Sequence, residues 1–193
     1  MSREFELKFS ASEAQLDAVQ AAYPGQYQTT AMETIYYDTP QGALSARKWT
    51  LRLRLEDGVP VCTLKTPAGA YCRGEWACRS GTITSAIAQL VKSGCPRELE
   101  GLTAGGLVPV CGARFQRRWI RLPLPDGTVE LALDRGVLFG GGRELPFAEA
   151  EVEQKSGSEA AAEAFARRLA ARFALTEEPK SKFQRALALA MGG

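Results

Sequence analysis

The sequence predicts an α+β fold, mainly β: a closed antiparallel barrel with a charged lumen and helices packed on its outside. Three observations carry this reading. Runs of apolar–polar alternation recur along the chain, and in an extended strand alternate side chains fall on opposite faces. The polar face of each run is ionisable, where a solvated face mixes Thr, Ser, Gln and Lys. Carboxylates dominate some runs and cations others, so the faces are expected to meet across a shared space, as a barrel lumen permits.

In chain order, the first run (about 3–9) sets Glu4, Glu6 and Lys8 against Phe5, Leu7 and Phe9. Ser12-Glu13 then signals a helix over about 12–22, ended by Tyr23-Pro24-Gly25. Strands are expected at about 27–38, 49–56, 60–67 and 71–79, with turn signals at Asp57-Gly58 and Pro67-Ala68-Gly69. Within them Arg52 and Arg54 oppose three leucines, Lys65 alternates with Leu64, and Arg73, Glu75 and Arg79 alternate with Trp76 and Cys78. Ile83, Ile87, Leu90 and Val91 have helical spacing over about 82–93, and about 96–107 reads as a short helix plus loop. Strands follow at about 110–122 and 128–138 around Pro125-Asp126-Gly127, then at about 146–155. Glu130 and Asp134 share a face in one of these, and Glu149, Glu151 and Glu153 form a ladder in the next. Gly140-Gly141-Gly142 reads as a turn rather than a phosphate-binding loop. Ala-rich and apolar amphipathic helices are expected at about 158–173 and 183–191.

The 193 residues suit one domain spanning 1–193, and 45% hydrophobic residues suffice for a core. With 24 basic and 22 acidic side chains the formal charge is +2, which speaks against a nucleic-acid surface. No apolar run approaches about 18 residues, so no membrane span is expected. The start is already a charged strand, so no signal peptide is expected either. Five cysteines without a C-x-x-C pair suggest reduced thiols in the cytoplasm. The chain has no histidine, which excludes Ser-His-Asp and Cys-His chemistry and histidine-ligated zinc. Any metal would be held by carboxylate oxygens, which favours Mg²⁺ or Mn²⁺.

These runs resemble, in order, the CYTH or triphosphate tunnel metalloenzyme family. The resemblance starts with Glu4-x-Glu6-x-Lys8, continues through Tyr36-Tyr37-Asp38-Thr39-Pro40, Leu51 to Arg54 and Thr63-Leu64-Lys65, and reaches Glu75 and Phe115 to Arg118. It runs on through Glu130 to Gly136, Glu149 to Glu153 and Ser181-Lys182-Phe183, nearly the whole chain. It implies an eight-stranded antiparallel tunnel that binds a triphosphate and Mg²⁺ or Mn²⁺. Arg52, Arg54, Lys65 and Arg117, with Lys8 and Lys182, would cradle phosphate, since guanidinium forks and ammonium groups suit its oxygens. One of Arg117 and Arg118 must face outward, and Arg117 is assigned inward. Glu4, Glu6, Asp134, Glu151 and Glu153 would hold the metals, with Glu151 and Glu153 also orienting the attacking water. Glu75 and Glu130 would orient arginines, and Glu149 would stand beside the metal set or at its rim. Lys8 and Lys182 would stabilise the leaving diphosphate, and one of them could serve as the base. Arg73 and Arg79 read as surface residues, and Trp49, Trp76 and Trp119 as core or barrel wall.

Among relatives the chain looks most like bacterial inorganic triphosphatases, which split tripolyphosphate into pyrophosphate and phosphate. It shows no appended helical CHAD domain, so a stand-alone tunnel is expected. Alternatives are a thiamine triphosphatase, a class IV adenylate cyclase, or a non-catalytic module binding polyphosphate or nucleotide. Tyr23, Tyr27 and Trp49 are the aromatic candidates for seating an organic group at a tunnel mouth. The expected partner is a small-molecule triphosphate, with neither nucleic acid nor membrane; relatives often pair, which leaves a homodimer open.

Overall fold

Alternation decides the first strand, β1 (Ser2–Ser10), whose Phe5, Leu7 and Phe9 are buried. In the computed structural model the backbone of residues 2–69 and 71–192 is described, with side chains for 5–69 and 71–192. Seven more strands complete the wall: β2 (Gln28–Asp38), β3 (Thr50–Glu56), β4 (Val59–Pro67), β5 (Cys72–Arg79), β6 (Val108–Leu124), β7 (Gly127–Gly140) and β8 (Arg143–Gly157). All pair antiparallel in the order β5-β4-β3-β2-β6-β7-β8-β1, and β1 pairs back onto β5, which closes the barrel. A two-residue strand, β9 (Thr176–Glu177), adds to the end of β1. Two hairpins turn on residues with positive φ, Asp57-Gly58 (49° and 82°) and Gly141-Gly142 (58° and 73°), as two-residue turns between twisted strands require.

Helices cover the outward, apolar faces. Helix α1 (Glu13–Ala22) starts at a capping box between Ser12 and Gln15, and α5 (Glu159–Phe173) is capped by Ser158. They bury Leu16, Val19, Phe165 and Leu169 against Phe9, Leu131 and Val152. On the opposite side α3 (Ile83–Lys92) and α4 (Glu98–Thr103) pack Ile87, Leu90 and Leu99 on Leu51, Leu64 and Trp76. Trp49 joins this second cluster, while Tyr23 and Tyr27 lie against the first.

The last helix, α6 (Lys182–Met191), behaves differently. Its Phe183 and Ala186 pack on Tyr36, Phe115, Leu138 and Phe147, which share their strand faces with Thr34, Arg117, Asp134 and Glu149. Helix α6 therefore fills one end of the lumen, while the other helices lie outside.

Strands β6 to β8 run one to three residues beyond their expected ends. Their hairpin positions continue the pairing through Arg143-Glu144-Leu145-Pro146, a stretch without clean alternation. A short helix, α2 (Ala43–Ala46), was not expected. The buried Asp38 carboxylate organises it, accepting from the backbone N–H of Thr39 (2.7 Å), Leu44 (2.9 Å) and Ser45 (3.0 Å) and from the Ser45 hydroxyl. That is the structural content of Tyr36-Tyr37-Asp38-Thr39. None of the five cysteines is in a disulfide, and burial pushes Cys111 up to about 12 and, with Cys78 nearby, Cys62 up to about 11. No helix of the described residues is long and apolar enough to cross a membrane.

Phe9 sits almost fully buried between α1, α5 and the barrel wall. Phe9→Ala is expected to lower stability by about 3–5 kcal/mol, read as a fall in the urea midpoint at unchanged slope.

Candidate active site

Strand register aligns the inward charges in rows. Glu6 of β1 lies opposite Glu153 of β8, which lies opposite Glu130 of β7, which lies opposite Arg121 of β6. The parallel row through Glu149 runs to Asp134 and then Arg117, and Lys8 faces Glu151. Going round the closed strand order, β3 stands four strands from β8 and β4 four from β7. The Arg52–Arg54 strand thus looks across the lumen at the Glu149–Glu153 strand. Opposed ladders of this kind are what the segregated charges in the sequence required.

The lumen is continuous. A central chamber of about 80 Å³ is lined by Glu6, Lys8, Arg52, Arg54, Lys65 and Arg117, with Arg73, Glu151 and Lys182 completing its charged wall. It shares Arg52, Arg54 and Arg117 with a wider mouth of about 410 Å³ that includes Trp119, Arg121, Glu130, Glu153 and Lys155. It shares Arg73, Ser181 and Phe183 with a second opening of about 280 Å³ beside α6.

The basic wall is under-partnered. Arg54 is buried, gives its Nε–H to Thr34 Oγ1 (2.9 Å), and has Glu56 at 3.9 Å. Burial, then the neighbouring Arg52 and Arg117 charges, pull its pKa down to about 10, so a bound anion would relieve it. Arg52 Nε is buried with no hydrogen-bond partner among the described residues. Lys65 faces Glu75 at 3.0 Å. Glu75, expected to orient an arginine, contacts this lysine. Glu130 meets Lys155 (3.5 Å) and Arg121 (3.8 Å), and Glu153 meets Lys155 (2.8 Å).

The acidic wall is densely paired. Arg117 forks onto Asp134, with Nε 2.8 Å from Oδ1 and Nη2 2.7 Å from Oδ2, and also reaches Glu151. Lys182 Nζ lies 2.8 Å from Asp134, 2.6 Å from Glu149 and 2.7 Å from Glu151. Arg185 takes the other oxygen of Glu149. Burial pushes Glu151 upward, but Arg117 and Lys182 outweigh it and hold the carboxyl well below its usual range. Burial and the nearby Glu151 push Glu149 up to about 7. For Lys182, burial works downward and the three carboxylates more than compensate, raising its pKa.

Register also decides the Arg117–Arg118 question. Arg117 faces Asp134 across β6 and β7, whereas Arg118 points outward over the Tyr27 ring at 5.8 Å. Glu4 lies in β1 opposite Arg73, and its side chain lies outside the described residues. Arg73, expected at the surface, lines the chamber; Arg185 was not singled out, and Tyr36 and Phe183 entered only as motif residues without a site role. Two patterns could have found them: Arg73 shares parity with Glu75, and Arg185 follows Lys182 by three on a helix. Trp119, expected in the wall, stands at the wide mouth, while Tyr23, Tyr27 and Trp49 pack on the outside. Arg117→Met would leave Asp134 and Glu151 buried with fewer cations; a loss of about 3–5 kcal/mol is expected in urea unfolding.

The CYTH domain profile matches residues 2–187. The inorganic triphosphatase of Haemophilus influenzae is 29% identical over 140 residues, which span 69% of this chain and 38% of that protein. The matched region is thus little more than a third of the relative's length. Among solved structures, a provisionally assigned adenylyl cyclase from Hippeastrum, described as having dominant triphosphatase activity, superposes with a TM-score of 0.65 at 17% identity, covering 95% of this chain and 93% of that one. A provisionally assigned adenylate cyclase from Bacillus halodurans gives 0.62 at 18% identity, covering 96% and 98%. A tunnel of opposed charge ladders and a profile match over nearly the whole chain lead to one conclusion: the protein belongs to the CYTH domain family.

Proposed function

We propose that residues 1–193 act as one triphosphate tunnel domain that hydrolyses inorganic tripolyphosphate to pyrophosphate and phosphate. The observation that carries this is the under-partnered Arg52–Arg54 wall facing a carboxylate wall across a water-sized chamber. A triphosphate would lie between the walls, its oxygens taken by Arg52, Arg54, Lys65 and Arg73. Fixing these donors beforehand lowers the reorganisation needed as charge moves onto the leaving diphosphate. Lys8, 3.9 Å from Glu6 and lining the same chamber, would stabilise that departing charge.

Glu6 and Glu153, directly opposed on neighbouring strands, suit a hard divalent ion such as Mg²⁺ or Mn²⁺. Such an ion would neutralise phosphate charge and lower the pKa of bound water. Their carboxylate-only chemistry is the reason for the choice of metal, since the chain has no histidine. Trp119 at the wide mouth favours one second reading, a triphosphate carrying a planar organic group. Five cysteines present as thiols support a cytoplasmic setting.

Phosphate release measured with Mg²⁺ or Mn²⁺ on tripolyphosphate, thiamine triphosphate, ATP and longer polyphosphate is the test, with a cyclic AMP assay alongside. Metal-dependent turnover of tripolyphosphate above the others is expected. Faster cleavage of an organic triphosphate would shift the reading to the Trp119 mouth, and binding without turnover would make the protein a binding module. Glu6→Gln should cut kcat by about 100-fold or more at saturating metal. Arg54→Ala should weaken substrate binding by about 10- to 100-fold, seen in KM and in tripolyphosphate titration calorimetry.

A further inference from the structure

Asp134, Glu149 and Glu151 bring three carboxylates within reach of a single point, with ligand oxygens within 4.8 Å of one another. Such a cluster invites a divalent ion, and the tunnel's own chemistry would suggest one. The point is already taken. Lys182 Nζ stands 2.6–2.8 Å from an oxygen of each of the three. The remaining oxygens are taken as well: Arg117 holds Asp134 Oδ1 and one oxygen of Glu151, and Arg185 holds the second oxygen of Glu149. All six carboxylate oxygens thus meet a cationic side chain, three negative charges against three positive.

We propose that the Lys182 ammonium is a resident cation standing where a second divalent ion would otherwise sit. The Asp134–Glu149–Glu151 cage then takes no metal, and the divalent ion enters only on the Glu6–Glu153 side. This rests on the metal-dependent reading above.

Three features hold Lys182 in place. It is the first residue of α6, and Ser181 fixes that end by accepting from Gln184 N (3.2 Å) while Gln184 Oε1 accepts from Ser181 N (2.8 Å). The next residue, Phe183, is buried in the tunnel end, so the helix cannot withdraw the lysine without emptying that cluster. The ammonium also lies 5.2 Å from the Phe115 ring centroid and 5.3 Å from that of Phe147, so aromatic faces complete its surroundings. A hard divalent ion needs several free oxygens and usually retains waters. Here it would have to displace the lysine or share the cage with it, and sharing sets two cations side by side in a buried space.

The Glu6–Glu153–Glu130 row is arranged differently. Three carboxylates stand side by side on adjacent strands, a placement that is unfavourable without an added positive charge. Lys8, Lys155 and Arg121 stand beside this row, Lys8 and Arg121 at 3.8–3.9 Å from a carboxylate and Lys155 at 2.8 Å. In this arrangement Lys182 remains an ammonium throughout, a positioning residue for the acidic wall that leaves proton transfer to other groups.

The test is Mn²⁺ titration of the full chain followed by electron paramagnetic resonance of the free ion, with circular dichroism to confirm folding. Glu149→Gln is expected to leave Mn²⁺ stoichiometry unchanged and the dissociation constant within about twofold. Glu153→Gln should lose the wild-type site, and Lys182→Met should gain one Mn²⁺ per chain. A Glu149→Gln variant that loses a bound Mn²⁺ overturns the assignment, and it can be read even if Lys182→Met does not fold. A folded Lys182→Met protein with no added site also overturns it. If the wild type binds no Mn²⁺ with or without tripolyphosphate while Lys182→Met binds one, metal-dependent hydrolysis falls and the Lys182 assignment stands.

Discussion

A barrel whose inward side chains are charged can exist only if those charges meet one another, because burying an isolated carboxylate or ammonium costs several kcal/mol. In this protein the requirement is met chiefly by the contact of Lys182 and Arg117 with Asp134, Glu149 and Glu151. The contact ties β6, β7, β8 and α6 together at one point. Without it Asp134 and Glu151 would lose their cations and Glu149 would keep Arg185 alone, in a space where Asp134 and Glu149 are fully buried.

The opposite wall carries no comparable compensation. Arg52 and Arg54 crowd each other, Arg54 gives its Nε–H to a threonine hydroxyl, and Arg52 Nε has no partner among the described residues. One side of the lumen is therefore self-neutralised, while the other holds unspent positive charge. That asymmetry is what the proposed binding of an anion in the chamber rests on. On the proposed function the two walls have separate tasks, the acidic one setting shape and the basic one binding.

Helix α6 connects these tasks to the fold. Phe183 and Ala186 fill one end of the lumen with apolar surface, and Lys182, one residue earlier, enters the acidic cage. Openings beside Trp119, beside Ser181 and beside Tyr71 adjoin the chamber. Access and charge balance thus depend on the same short helix.

The strands, most helices and the identity of the inward face were legible in the sequence, because an antiparallel strand with one apolar side has a two-residue period. Glu6, Lys8, Arg52, Arg54, Lys65 and Glu151 could be assigned to one lumen on that basis together with the family resemblance. Alternation cannot say which of two adjacent arginines faces inward, since Arg117 and Arg118 fit either parity until β6 is registered against Asp134 of β7. Nor could it distinguish a carboxylate that pairs with a lysine 33 residues away from one left open for a metal, as for Glu149 and Lys182. Parity along a strand is a local property written in the chain. Which charge meets which across a closed barrel depends on register and on where α6 docks, and only the tertiary structure decides those.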